Sequence, residues 1–289
     1  MARRELDSAP QGELPDELLS APTIASNGVP DECLSFTISS DWGHFRRIDR
    51  TVTKQTYRLP PRTTVAGLLA AIAGVHRDGY YDTFAEEVSA VAVQPVGDVR
   101  TVTEPSLGLG TNPDETMAQA GGTGRKTVKV TYPDSTDNRQ IHSYELLVEP
   151  AYRISVAVED PKFYTALAHR LESGTSYYPP SMGLSEHLAW IDYHGRCAVE
   201  PRDTENAEPV TLDSALPNGI EETVPQRGVS YASERVPGFM TADETGRRTT
   251  GYVDYAFTTT ADANVELIPQ SVRPARIDDG DETQTVVFC

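Results

Sequence analysis

Apolar and polar residues alternate over residues 34–38 (Leu-Ser-Phe-Thr-Ile), the period of a half-buried strand. The spacing then changes. Val65, Leu68, Leu69 and Ile72 fall at i, i+3, i+4 and i+7, which is one face of a helix. Thr63 or Thr64 can cap its start, and Gly74 can end it. A short apolar run over 88–96 predicts a second strand. Alternation resumes over 144–158, where Tyr152, Ile154, Val156 and Val158 share one face. Asp160-Pro161 reads as an N-cap followed by proline at the first helical position. Phe163, Leu167 and Leu171 mark that helix's apolar face, and Gly174 closes it. Residues 188–199 read as a strand broken at His194-Gly195. In order this is β-α-β, a long insertion, then β-α-β. It predicts an α+β chain of ferredoxin-like order, the fold of RNA-recognition (RRM-like) domains.

Three stretches lack this regularity. Residues 1–31 are rich in Ala, Ser, Pro, Asp and Glu without a sustained period, and predict a disordered acidic tail. Residues 97–143 hold Gly108, Gly110, Gly121, Gly122 and Gly124 among polar residues, and form an insertion within a domain of residues 32–200. Residues 201–289 predict a small β-rich C-terminal subdomain, with strands over 251–257 and 265–268 and a solvated acidic turn at 278–282.

Charge changes the picture. The chain of 289 residues carries formal net charge -18, with 43 Asp and Glu against 25 Lys and Arg. Only Lys54, Lys126, Lys129 and Lys162 are lysines. Few lysines and many carboxylates predict a halophilic protein of a salt-rich cytoplasm, whose acidic surface discourages non-specific nucleic-acid binding. Against that background residues 42–64 hold Arg46, Arg47, Arg50, Lys54, Arg58 and Arg62 with Asp49 alone, a net +5. Trp42, Phe45 and Tyr57 interleave with the cations. Guanidinium forks match phosphate oxygens and rings stack on unpaired bases, so the stretch suits a single-stranded nucleic acid. The competing reading is that these arginines pair with the protein's own carboxylates. The turn before the first helix adds backbone N–H groups and the hydroxyls of Thr63 and Thr64, a ready anion site.

The same stretch carries a resemblance. A strand, then Trp42-Gly-His-Phe-Arg46, then Thr56-Tyr-Arg-Leu-Pro-Pro-Arg-Thr-Thr-Val-Ala-Gly-Leu-Leu69 and Gly74 resembles the start of the Cas-five family. These are CRISPR-associated proteins of the RAMP superfamily, and subtype I-B is the most similar group. The likeness resumes at Tyr144-Glu-Leu-Leu-Val-Glu-Pro-Ala-Tyr-Arg-Ile-Ser-Val156 and continues through Tyr178-Pro-Pro-Ser-Met-Gly-Leu-Ser-Glu186. It implies a non-catalytic subunit of a type I surveillance complex (Cascade) in antiviral defence. Such a subunit holds the 5′ handle of CRISPR RNA, caps the filament of backbone subunits and contacts the large subunit. The resemblance implicates Arg46, Arg47, Tyr57, Arg62, Thr63 and Thr64 in RNA contact, and the surrounding stretch adds Trp42, His44, Phe45, Arg50 and Lys54 as candidates. It also reads the 97–143 insertion as a thumb hairpin across the guide, with Arg125, Lys126 and Lys129 meeting phosphates; the alternative is a flexible surface loop.

Other chemistries find little support. There is no Walker phosphate loop, Gly108-Leu-Gly110 lacks the third glycine of a dinucleotide fingerprint, and no His-Glu-x-x-His occurs. The six histidines show no metal-ligand spacing, and Cys33, Cys197 and Cys289 form no disulfide or zinc pattern. No cofactor is expected. The longest apolar run, residues 65–75, is too short to span a bilayer, so no membrane partner and a cytoplasmic location are expected. One enzymatic alternative remains, suggested by a subtype I-C branch of the family: a metal-independent endoribonuclease using Tyr57, Lys126 and His44 or His142 as acid–base groups.

Overall fold

The computed structural model describes residues 15, 17–47, 53–109, 139–202, 208–243, 246–261, 263–280 and 282–289. Its centre is a sheet of six strands: β1 (Glu32–Ser39), β6 (Ser89–Pro95), β9 (Ala151–Val158), β10 (Trp190–Pro201), β16 (Pro274–Asp278) and β17 (Thr283–Val287). They stand in the order β17-β16-β10-β1-β9-β6, every neighbouring pair antiparallel. Helix α1 (Arg62–Ala73) joins β1 to β6 in the chain, and helix α2 (Pro161–Glu172) joins β9 to β10. The alternation read from sequence is the packing: Leu34, Phe36 and Ile38 meet Ile154, Val156, Val91 and Val93 across the sheet, under Val65, Leu69 and Ile72 of α1 and Phe163, Leu167 and Leu171 of α2. Each such side chain removed from water contributes about 1.5–3 kcal/mol. The opposite face carries a second cluster of Cys33, Ala90, Ala92, Ala157 and Cys197 with Ala275, Ile277, Val286 and Phe288.

The helix ends follow local chemistry. The Asp160 carboxylate accepts from the N–H groups of Lys162 and Phe163 at 2.9 and 3.1 Å, and Pro161 opens α2. Gly74 adopts φ 85° and returns its N–H to the Ala70 carbonyl at 2.9 Å, which ends α1. The start of α1 differs from expectation. Pro61 is the cap residue and its carbonyl accepts from Thr64 and Val65 at 2.7 and 3.0 Å, so Thr63 and Thr64 lie in the first turn. The Pro60-Pro61 pair keeps the preceding backbone extended and sets the start just after itself. The break foreseen in β10 is a shift of register: Ser35 faces Gly195 while Phe36 faces Tyr193, leaving His194 as the extra residue, its Nε2 2.8 Å from the Thr37 hydroxyl.

Three expectations are corrected. Residues 17–31 are docked, not loose: the Leu19 N–H donates to Thr165 at 2.9 Å, the Ile24 N–H donates to Glu159 at 3.0 Å, and Val29 is buried. Leu19 and Ala21 pack against the helix-side core and Ile24 and Val29 in the opposite cluster, so the apolar residues show no period. The segment after residue 200 is β-rich but not a unit apart, since β16 and β17 extend the central sheet through β10. The rest of it forms β11 (Val210–Leu212) with β15 (Val265–Leu267), and β12 (Leu216–Pro217) beside the long hairpin of β13 (Tyr231–Asp243) and β14 (Gly246–Thr258). Val236, Val253, Tyr255 and Phe257 of that hairpin enter the main core beside α1. The acidic turn is not wholly solvated either: Asp279 is buried in an ion pair with Arg153, whose Nε also donates to Ser35 at 3.2 Å.

The insertion begins as two paired arms, β7 (Arg100–Leu109) and β8 (Arg139–Val148), in register from Arg100 opposite Val148 to Leu109 opposite Arg139. Residues 101–106 are exposed, which is why no apolar period announced the first arm. β8 also pairs with β2 (Trp42–Gly43) and, in parallel, with β4 (Thr53–Lys54). The expected thumb tip, with Arg125, Lys126 and Lys129, lies outside the described residues.

Arg62 is buried to 1% exposure and ties the fold together. Its Nε donates to the Cys289 carbonyl at 3.1 Å, Nη1 to the Phe84 carbonyl at 2.7 Å, and Nη2 to the Ser89 carbonyl and hydroxyl at 3.1 and 2.6 Å. The guanidinium carbon sits 4.3 Å from the Phe239 ring centroid. Replacing it by alanine removes the donor from three carbonyls and one hydroxyl, of which the Cys289 carbonyl keeps the Val91 N–H. Arg62→Ala should lose roughly 3–5 kcal/mol of stability, and Arg62→Lys, which cannot fork, should recover only part of it. Chemical unfolding of the three proteins checks this; equal midpoints would show that the network is not stabilising.

The loop before β10 is clamped onto His44. The His44 N–H donates to the Met182 carbonyl at 2.9 Å and the Met182 N–H to the His187 carbonyl at 2.7 Å. Gly183 at φ +94° leaves room, because a Cβ there would lie 2.0 Å from the His44 carbonyl oxygen. Burial lowers the pKa of both His44 and His187 from 6.5, with the Arg46 charge acting the same way on His44 and the His44 charge on His187; the Glu145 carbonyl and carboxylate and the Glu186 carboxylate oppose this in part. Above pH 6.5 neither state binds the proton. Below it the unfolded chain takes up protons that the native imidazoles refuse, so stability falls as pH drops toward the folded values. Thermal unfolding between pH 7.5 and 5.5, values bracketing that window, should therefore fall more steeply for the wild type than for His44→Gln. Parallel slopes would contradict the coupling.

Candidate nucleic-acid interface

The cation-rich stretch leaves the sheet at the end of β1 and returns at α1. Its two arms pair as β3 (Phe45–Arg46) and β5 (Thr56–Tyr57), with Phe45 opposite Tyr57 and Arg46 opposite Thr56. Three bonds hold the arms. The Phe45 N–H donates to the Thr56 hydroxyl at 2.8 Å, the Arg47 N–H to the Gln55 carbonyl at 2.9 Å, and the Thr56 N–H to the Glu145 carboxylate at 3.1 Å. The turn that follows is pinned on both sides of Arg58: its N–H donates to Glu234 at 2.8 Å and its carbonyl accepts from the buried Tyr152 hydroxyl.

These constraints sort the expected residues. Arg46 is exposed, and Arg47 lies with its guanidinium carbon 5.4 Å from the centroid of the half-buried Tyr57 ring. Lys54 is half-buried on β4, and Trp42 is 38% exposed on β2. Thr63 and Thr64 are half-buried in the first turn of α1, the Thr63 hydroxyl donating to the Pro237 carbonyl at 3.4 Å. Arg50 lies outside the described residues, as do Arg125, Lys126 and Lys129.

Three residues are turned inward. Phe45 is 2% exposed and packs on Tyr152, with centroids 5.9 Å apart, so its ring is a core ring and not a stacking surface. Arg62 gives its guanidinium to the interior network and presents none to a phosphate. His44 is 1% exposed; its Nδ1 donates to the Glu145 carbonyl at 2.8 Å in the neutral tautomer, and the ring meets Tyr144 edge-on. His142, the other histidine considered, stands half-buried on β8 opposite Ser106. The turn's anion-binding capacity is also smaller than expected, because Pro61 takes the N–H groups of Thr64 and Val65.

One cation enters that was counted but not selected. Arg58 keeps 45% of its side chain exposed and lies 3.7 Å from Glu234. Burial raises the Glu234 pKa, and the Arg58 N–H with the Arg58 and Arg47 charges offsets this in part. Glu234 is thus an internal counter-charge to Arg58 and Arg47. Arg46, Arg47, Arg58 and Tyr57 form a cation and ring cluster on the outer edge of the core, joined to β13 through Glu234.

Among the described residues no helix is long and apolar enough to cross a membrane, and no three of His, Cys, Asp and Glu gather as a metal site.

No curated protein matches the chain. Among solved structures it is similar to a "CRISPR RNA-guided surveillance complex" chain at 13% identity and TM-score 0.46, over 79% of this chain and 90% of that one. A functionally uncharacterized protein from Streptococcus mutans matches at 12% identity and TM-score 0.36, over 83% and 93%. A chain of a Type III-B Cmr-beta complex bound to cognate target RNA and AMPPnP matches at 11% identity and TM-score 0.41, over 80% and 86%. Scores this low leave the assignment to the family model. The model of the CRISPR-associated protein (Cas_Cas5) family matches residues 33–236, which cover strands β6, β9 and β10 and nearly all of β1, both helices and the cation cluster, and the chain belongs to that family.

Proposed function

We propose that the protein is a non-catalytic RNA-binding subunit of a type I, subtype I-B-like surveillance complex, which grips the 5′ handle of CRISPR RNA and caps the backbone-subunit filament beside the large subunit. The observation that carries this reading is the outward cluster of Arg46, Arg47, Arg58 and Tyr57 on a chain of net charge -18, together with family membership. The strand order β10-β1-β9-β6, with a helix after β1 and after β9, supports a ferredoxin-like core for it. Phosphates would be met by the arginines, and a splayed base by Tyr57. In a halophile's molar salt the Debye length is about 3 Å, so the grip would depend on direct forks and stacking instead of long-range attraction.

The endoribonuclease alternative would require an imidazole at the scissile phosphate. His44 is buried with Nδ1 already committed to Glu145, which argues against it in that role. One preparation addresses both readings. Complex assembled in molar salt with Arg46→Glu and Arg47→Glu should lose most of its guide RNA while the isolated subunit keeps its melting temperature, and wild-type subunit should leave repeat RNA uncut. Unchanged guide content would show that these arginines serve the protein's own carboxylates. Cutting at one site, abolished by Tyr57→Phe, would establish the nuclease instead.

A further inference from the structure

The edge strand that receives Arg58 through Glu234 carries a second cation and ring pair one residue further on. In the β13–β14 register Arg235 faces Asp254 and Pro237 faces Tyr252, so Arg235 and Tyr252 are diagonal neighbours on one face of the hairpin. The other face, with Val236, Val253 and Tyr255, is buried in the core. The Arg235 guanidinium carbon lies 5.1 Å from the Tyr252 ring centroid, Arg235 is exposed, and Tyr252 is 51% exposed.

Neither side chain has a packing role that explains this placement. In a chain with 43 carboxylates, Arg235 forms no ion pair among the described residues, although Asp254 stands directly across. Asp254 is held instead through its backbone, its N–H donating to Asn218 at 2.9 Å and its carbonyl accepting from the Asn218 N–H at 2.8 Å. An exposed guanidinium 5.1 Å from the centroid of an exposed phenol ring sets a cation beside an accessible aromatic ring.

We propose that the RNA-binding surface continues onto the β13–β14 hairpin, where Arg235 and Tyr252 form a platform on which one unpaired base stacks with its phosphate beside the guanidinium. This rests on the RNA-binding reading of the Arg46, Arg47 and Tyr57 cluster and extends it. Glu234 and Arg235 are successive residues of β13 and point to opposite faces, so the platform lies on the outer face of the hairpin, around the edge strand from the Arg58 turn that the Glu234 carboxylate holds. The pair suits a ring and a phosphate together, which a nucleotide carries in one unit.

The test uses the full chain and a short fluorescein-labelled oligouridine, with polyglutamate of similar length as the acidic-peptide probe. Tyr252→Ala and Arg235→Ala should each weaken oligouridine binding by at least about 5-fold, the low end of what one stacked base contributes. Tyr252→Phe, which keeps the ring, should bind like the wild type, and polyglutamate should not distinguish the variants. Melting temperatures should be unchanged, because both side chains lie outside the core. If Arg46→Glu with Arg47→Glu weakens oligouridine binding and the hairpin variants do not, the platform is overturned and the main cluster stands. If neither set has an effect, the RNA-binding reading fails as well. Loss of polyglutamate binding alone in the hairpin variants would make the surface a protein-docking site and overturn the platform.

Discussion

A single buried guanidinium organises this fold. Arg62 opens α1, yet its side chain runs inward to the carbonyls of Phe84, Ser89 and Cys289, under the ring of Phe239. Those partners belong to the α1–β6 connection, to β6, to the end of the chain and to β13. The Cys289 backbone in turn pairs with Val91 of β6 in both directions, at 2.9 and 3.1 Å. The start of one helix is thereby tied to an inner edge of the sheet and to the C-terminal hairpin. A charge in such a place is tolerable only when it is well paired, and here each of the three guanidinium nitrogens donates. That condition is why lysine, which cannot fork, is expected to replace it only in part.

The network also shapes the outer surface. With Arg62 fixed inward, the turn before it is held by Tyr152 and Glu234, and its cations point away from the core. Among the described cations of the stretch, Arg62 is structural, whereas Arg46 and Arg58 are exposed. Composition alone cannot make that division, because arginine is the right residue for both roles: its planar fork satisfies three carbonyls inside as readily as phosphate oxygens outside. Phe45 and Tyr57 divide the same way. They face each other across β3 and β5, yet Phe45 is buried against Tyr152 while Tyr57 meets Arg47 at the surface.

Much of the core was legible in the sequence because period and burial agree there. The faces of β1, α1, β9 and α2 follow from Leu34 to Ile38, Val65 to Ile72, Tyr152 to Val158 and Phe163 to Leu171, and even the irregularity at His194 was visible. Elements whose partners lie far away in sequence were not. β7 is exposed over residues 101–106 and pairs with β8; residues 17–31 dock through backbone donors to Thr165 and Glu159; β16 joins β10 across more than seventy residues. In the candidate interface, residue types and approximate place were readable, whereas the inward turn of His44, Phe45 and Arg62 needed the third dimension. Arg235 and Tyr252 carried no motif at all, since their proximity arises only from the hairpin register.

The central claim is that RNA lies along the edge formed by Arg46, Arg47, Tyr57 and Arg58. Photo-crosslinking of the guide in the assembled complex, followed by mass spectrometry of the linked peptides, tests it most directly. The account predicts adducts on Tyr57 or its neighbours in β3 and β5, formed by nucleotides of the 5′ handle. Adducts confined to the α2 side of the molecule, or formed only by spacer nucleotides, would contradict it.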